Sequence, residues 1–577
     1  MSPRRLVGVL VVVLATLLLA GCASMPTSGP VVTIGQINAP TPDAGFAIAP
    51  RGPQKGASPT EIVQGFLDAM QATPVQTTTA RQFLSSGFAD AWDPQRETIA
   101  YDDLTPPHGT TVVSVDLQNA NKLDAQGSWQ GAADLSDSQL HFSMVREKGE
   151  WRISAAPDAM IVPQSWFDAR FTQVSLYYFD PSGQILVPEP VFVPRGNQLA
   201  TTLVRSLLAG PSDALDGVAR TFLPAGVSAG LSVPVDRDGV ASVDLKGDLG
   251  QQSDHALHLM STQLAWTLRQ DDSIHAIRLS IGGRPVEQSG AGTIPVDTGD
   301  TYDPAGYGTS DQLFGVADGG VVTATAAHLA PVPGALGGHT PALRSVAVSI
   351  DAAQAAAVTA DGHQLRSAAL RTGAAATVRL AGTDLLTPAW DAADRLWDID
   401  RTSHGAVVHV SDGSKMQTVA VPGVSGQNVP RFLISRDGSR LIALVRHSDG
   451  DDVVVSRIRS GDQGRVLGAA GAQVISGSSQ GARIRDIGWH SPTSVVTLQQ
   501  LSGTALIHTY SVDGAVSGFP AATVTVGHRL SALVSSPVTT QTVYGATGHT
   551  LLDLAGDLGE AGTVTLPGRV TSLGYVG

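Results

Sequence analysis

Ile434-Ser435-Arg436-Asp437-Gly438-Ser439-Arg440-Leu441-Ile442-Ala443 reads as the end of one β-strand, a tight turn and the start of the next. Asp437-Gly438 is the turn: aspartate bonds its own backbone two residues on, and glycine accepts the positive φ that hairpin turns demand. The same Asp-Gly punctuation recurs at 318–319, 361–362, 412–413 and 513–514, each beside β-rich sequence. Segments of similar layout start near Arg344, Leu385, Val429, Ala482 and Arg529. They lie about 41 to 53 residues apart, within or near the span of a four-stranded propeller blade. Two strands at 314–325 precede the first full repeat, and a lone strand at 570–576 follows the last. A ring closes if that final strand joins the early pair in one composite blade. Residues 312–577 are therefore expected to form an all-β propeller of six blades, with seven as the alternative count and two separate β-sandwiches as the competing arrangement.

The Ser-x-Asp-Gly spacing at 435–438 is similar to that of TolB-type blades. Upstream, 174–179 is a strand, and 197–208 is an amphipathic helix through Leu199, Leu203, Val204 and Leu207. That helix stops at Gly210-Pro211, a glycine C-terminus followed by a residue that cannot continue it. A short strand at 239–245, a helix from Ser253 that buries Leu257, Met260, Leu264 and Leu268, and a strand at 274–281 complete the unit. Leu176-Tyr177-Tyr178-Phe179, Leu207-Leu208-Ala209-Gly210-Pro211, Ser242-Val243-Asp244-Leu245, Gln263-Leu264-Ala265-Trp266-Thr267-Leu268 and Ile281-Gly282-Gly283 resemble, in order, the landmarks of a GerMN domain. The resemblance implies an α+β module over 174–286 that acts in assembly and contact. Residues 287–311 are rich in Gly, Asp and Thr and read as a linker.

The first folded unit opens at Ser58-Pro59-Thr60-Glu61, a capping box with proline at the first helical position. Ile62, Val63, Phe66, Leu67 and Met70 share one helical face, and a second helix is expected over 80–92. Alternating segments at 110–117, 128–135, 140–146 and 151–154 follow. Helices first and antiparallel strands after suggest an α+β domain at 58–165, similar to the NTF2-like cone. Before it, 22–57 carries recurrent prolines and no hydrophobic periodicity. Such a tether reaches roughly 30 to 35 Å.

At the start of the chain, Arg4 and Arg5 precede an uncharged apolar run that ends at Leu19-Ala20-Gly21-Cys22. As a helix that run is about 22 Å long, short of a hydrocarbon core of ~30 Å, so 1–21 reads as a signal peptide. Cys22 is the one cysteine in 577 residues, which removes disulfides and Cys-x-x-Cys sites from consideration. Leu19, Ala20, Gly21 and Cys22 resemble the lipobox of bacterial lipoproteins. The resemblance implies diacylglyceryl and N-acyl lipid on Cys22, and so an anchor on the extracytoplasmic face of the cell membrane. Two acyl chains suffice for stable anchoring. A net charge of −14 with no basic cluster points away from nucleic acid and anionic headgroups.

Catalytic and metal-binding patterns are sparse. Gly477-Ser478-Ser479-Gln480-Gly481 fits G-x-S-x-G by letter, yet a nucleophile elbow joins a strand to a helix and both flanks here are β-type. His255 and His258 lie one helical turn apart without a completing ligand, so they read as solvent-facing beside Leu257. Asp449-Gly450-Asp451-Asp452 lacks the closing glutamate of an EF-hand loop and reads as a solvated hairpin tip. Asp236-Arg237-Asp238-Gly239 fails for the same reason. Trp390-Asp391 and Trp397-Asp398 lack the Gly-His partner of WD repeats and read as core tryptophans. No catalytic, metal-binding or cofactor-binding residue is assigned.

Signal peptide, NTF2-like segment, GerMN domain and propeller, in this order, resemble the LpqB family of actinobacterial lipoproteins, associated with the MtrA–MtrB two-component system. The resemblance implies a non-enzymatic accessory protein that contacts the extracytoplasmic part of a sensor histidine kinase, with consequences for the cell envelope and division. Cell-wall components are a further implied partner. The alternatives are an exported hydrolase with its active site in the propeller channel, and an envelope-assembly scaffold.

Overall fold

The computed structural model describes residues 50–286, 292–338, 341–479, 481–516, 523–554 and 562–577. The capping box forms as its residues dictate. Ser58 Oγ accepts from the backbone N–H of Glu61, and a Glu61 carboxylate oxygen accepts from Ser58 N–H at 2.7 Å. Helix Pro59–Ala69 then buries Ile62, Val63, Phe66 and Leu67. Phe66 meets Trp92 and Phe142 with ring centroids 5.2 and 5.9 Å apart, which centres the first core.

The expected helix over 80–92 is instead two single turns, Thr78–Arg81 and Ser86–Ala89. Between them the backbone pairs with a strand: Ser85 N–H donates to Ile153 O at 2.8 Å, and Ile153 N–H to Phe83 O at 3.0 Å. Those bonds take groups that a continuous helix would have used internally. The strands form two sheets, and the pairing is not wholly antiparallel. Glu97–Tyr101 lies parallel to Met160–Pro163 and antiparallel to Asn121–Asp124. These three short strands have too few alternating residues to register as strands in the sequence.

A hairpin, Phe171–Phe179 with Leu186–Pro194, leads into the second unit. There Val240–Lys246 and Ala276–Ile281 run parallel, connected through helix Asp254–Leu268, whose N-cap Ser253 accepts from Ala256 N–H. The stretch expected to be a linker is partly built into this sheet. Ile294–Pro295 pairs with Ala276–Ile281, and the Tyr302 ring lies 5.2 Å from that of Phe179.

Six four-stranded sheets follow among the described residues. Five are consecutive in sequence. The sixth joins Leu313–Ala317, Gly320–Ala324 and Leu329–Pro331 to the last strand, Thr571–Gly574. Ala324, Val534, Leu551 and Leu566 pack together across the closing joint, so this β-propeller is sealed by apolar burial as well as by the ladder.

Candidate functional site

The three units meet at one hairpin. Strand Leu186–Pro194 is buried over nearly its whole length. Prolines 188, 190 and 194 bring no N–H that would go unsatisfied. On one side Phe171 and Phe192 belong to the core of the first unit, and Phe192 N–H donates to Gly127 O at 2.8 Å. On the other, Leu176, Tyr178, Val187, Val191 and Val193 belong to the core of the second. The hairpin cannot leave either core without opening the other.

Glu189 is the one charged residue of that strand, and it faces the propeller. Its Oε1 accepts from Arg457 Nη2 at 2.6 Å, and its Oε2 from Arg440 Nη2 at 2.7 Å and Arg457 Nη1 at 2.8 Å. Arg440 is 1% exposed and also donates to Pro188 O at 2.8 Å. Burial lowers the Arg440 pKa, opposed by the charge of Glu189. Further contacts hold the same seam. Gln173 Nε2 donates to Ser511 Oγ at 3.1 Å and to Asp513 Oδ2 at 2.9 Å. Arg459 pairs with Asp216, and Ser460 N–H donates to Gly217 O at 2.8 Å. Burial pushes the Asp513 carboxyl up to about 6, against the lowering effect of its hydrogen bonds from Ser511 and Ala515.

Arg440 and Arg436 come from the same Asp-Gly turn. Asp437 Oδ1 accepts from Ser435 Oγ at 2.5 Å and from Ser439 N–H at 2.7 Å, and Gly438 takes φ +69°. The turn so fixed sends its two arginines to different places. Arg440 reaches Glu189. Arg436 donates to Ala305 O, to Ser536 Oγ at 3.2 Å and to Val576 O at 2.7 Å, tying the 292–311 stretch and the last strand to the ring.

The innermost strands of the ring enclose a channel of about 680 Å³. Asp486 is the one acidic side chain in its lining. It lies 3.2 Å from Arg431 Nε and accepts from Leu533 N–H at 2.9 Å, and burial raises its pKa.

Leu19, Ala20, Gly21 and Cys22 lie outside the described residues. His255 is exposed on helix Asp254–Leu268, and the His258 ring lies 5.9 Å from that of Tyr302. Gly477 and Ser479 sit in strand Val466–Ser479, and the next element is strand Ile484–Ser491, so no strand-to-helix elbow forms there. The Asp449–Asp452 stretch is not a solvated tip throughout. Asp451 is fully buried, accepts from Arg483 Nη1 at 2.7 Å and from Ile484 N–H at 2.8 Å, and secures one blade to the next. Both tryptophans of the Trp-Asp pairs are core residues, and Trp397 Nε1 donates to buried Asp391 at 2.8 Å. Among the described residues, no group of three or more His, Cys, Asp or Glu side chains is arranged to hold a metal ion.

Sequence reasoning passed over Glu189, Arg436, Arg440, Arg457 and Asp513. Glu189 did carry a signal: a lone carboxylate between two prolines in an otherwise apolar strand needs a buried partner. The identity of that partner, over 250 residues away in sequence, is not encoded locally.

Three protein-family models match the chain: "Lipoprotein LpqB, N-terminal domain" over 52–168, "Sporulation and spore germination" over 175–287, and "Lipoprotein LpqB beta-propeller domain" over 319–561. Curated relatives include Lipoprotein LpqB of Thermobifida fusca, 26% identical over 90% of this chain and 91% of its own. That of Cutibacterium acnes is 28% identical over 92% of each, and that of Mycobacterium tuberculosis 26% identical over 94% of each. Among solved structures, the tandem GerMN domains of the sporulation protein GerM from Bacillus subtilis share 20% identity over 22% of this chain and 45% of theirs, with a TM-score of 0.18.

Proposed function

The chain belongs to the LpqB lipoprotein family, and from that premise we propose that it is a lipid-anchored accessory protein of the extracytoplasmic face that binds and modulates a sensor histidine kinase of the MtrB type. Cys22 carries the anchor, and the folded units act through contact, without chemistry of their own. The observation that carries this reading is the buried seam at Glu189, Arg440 and Arg457, which joins the propeller to the GerMN unit. A partner docked on one unit therefore bears on the others as one body. Confinement to the membrane layer raises the effective concentration of such a partner, so a weak docking surface suffices in the cell.

The hydrolase alternative needs several acid–base groups converging in the channel, and the lining offers Asp486, already engaged by Arg431, and His549. The test is crosslinking of the native lipoprotein in intact cells of its own host, with adducts identified by mass spectrometry and Cys22→Ala as control. A sensor kinase recovered from wild type and lost in the control is the expected result. Wall synthases or polymers alone would sink the kinase reading in favour of a scaffold. Deleting 174–286 is not an informative substitute, because the hairpin of that unit completes the first core through Phe192.

A further inference from the structure

Arg436 stands in the lining of the propeller channel. Strand Arg431–Ile434 of the channel wall leads into the turn whose Arg440 reaches Glu189, and in that turn Arg436 is 3% exposed among Ala305, Ser536 and Val576. Its guanidinium has neutral acceptors only; Asp303 acts on it from longer range, and burial pushes its pKa down to about 10. A buried cation without an ion-pair partner is costly relative to one in water. Arg431 opens strand Arg431–Ile434, Arg569 precedes strand Thr571–Gly574 and His549 lies in the turn after Tyr544–Thr547, all exposed and all in the channel lining. Arg569 donates to no described protein group, whereas Arg431 is shared with Asp486. The channel thus gathers three guanidiniums and an imidazole against one carboxylate side chain, in a chain of net charge −14. Its volume of about 680 Å³ falls in the usual range of small-molecule pockets.

We propose that the propeller channel is a binding site for an organic or inorganic anion bearing carboxylate or phosphate oxygens, which enters past Arg569 and Arg431 and supplies the countercharge that Arg436 lacks. Planar guanidiniums pair bidentately with either group, and the low-dielectric walls strengthen the attraction. This reading is independent of any kinase contact.

The experiment is isothermal titration of the full-length protein in neutral detergent with sodium tripolyphosphate and, separately, sodium citrate, against sodium chloride at matched ionic strength. Saturable binding of at least one probe, absent with chloride, is expected. Tighter tripolyphosphate binding assigns a phosphate ligand, and tighter citrate binding a carboxylate. Arg569→Gln removes an exposed, unbonded side chain and leaves the fold intact, and it should weaken binding by roughly tenfold or more. Asp486→Asn removes the opposing charge, frees Arg431 and should tighten binding. Absence of saturation with both probes up to millimolar concentration overturns the proposal. So does saturable binding that Arg569→Gln leaves unchanged.

Discussion

Glu189 Oε1 lies 2.6 Å from Arg457 Nη2 across the seam between the GerMN unit and the propeller. With Arg440 on its other oxygen, the carboxylate is enclosed by two guanidiniums from adjacent strands of one blade, Arg440–Arg446 and Gly450–Ser460. Such a buried cluster specifies how two modules fit more than it adds to stability, because desolvation cancels much of the attraction. Breaking it is another matter.

Glu189→Gln leaves Arg440 buried against an uncharged amide. A loss of about 3–5 kcal/mol in urea unfolding is expected, as for other half-broken buried pairs. The triple change Glu189→Leu, Arg440→Met, Arg457→Met should recover most of it. A single mutant as stable as wild type would show that the seam is solvated and carries little.

Asp513 gives the seam a pH dependence. Its folded pKa of about 6 lies above the value near 3.9 of an unfolded aspartate, so the folded state binds the proton more tightly. This group's contribution is therefore fully present below about pH 4, is lost as pH rises and is flat above about 6. Asp513→Asn should remove that part of the slope between pH 4 and 6, read from denaturation midpoints at constant ionic strength.

Asp398 is fully buried on strand Leu396–Thr402 of the propeller, and desolvation raises its pKa well above the ordinary carboxylate value. Near neutral pH the protein must hold it protonated or bury the charge. Asp398→Asn keeps the shape and needs no proton, so thermal stability at pH 7 should rise and its fall as pH climbs above the unfolded value of about 4 should shrink. A lower melting temperature at every pH would contradict this.

At Gly438 a Cβ would meet Arg395 Nη2 at 2.0 Å and Asp391 Oδ2 at 3.1 Å, on a backbone with φ +69°. Gly438→Ala strains the turn that aims Arg436 and Arg440 together. The expected cost exceeds about 1 kcal/mol, with loss of cooperativity between the ring and the GerMN unit. Gly464→Ala, also at positive φ but with open space around the added atom, is the control for backbone strain alone.

Much of the architecture is written locally. Ser58, Pro59 and Glu61 set a helix start, Gly210-Pro211 ends another, and Asp437-Gly438 turns a hairpin, because each effect acts within a few residues. The composite blade is legible too, since a pair of strands at one end and a lone strand at the other leave a ring one strand short. Local pattern misleads where distant chain competes for the same groups. Phe83 and Ser85 give their backbone bonds to Ile153 and break an expected helix. Ile294 joins a sheet from within an expected linker, and Asp451 is drawn inward by Arg446 and Arg483.

By itself the sequence determined the modules, their order and a lipobox-like cysteine, because caps, turns and apolar periodicity are short-range properties of the chain. Tertiary structure alone decided that Glu189 meets Arg440 and Arg457, that Arg436 is buried in the channel lining, and that one hairpin serves two cores. Those relationships depend on burial, which removes water as the alternative partner and makes each buried charge answer to residues hundreds of positions away.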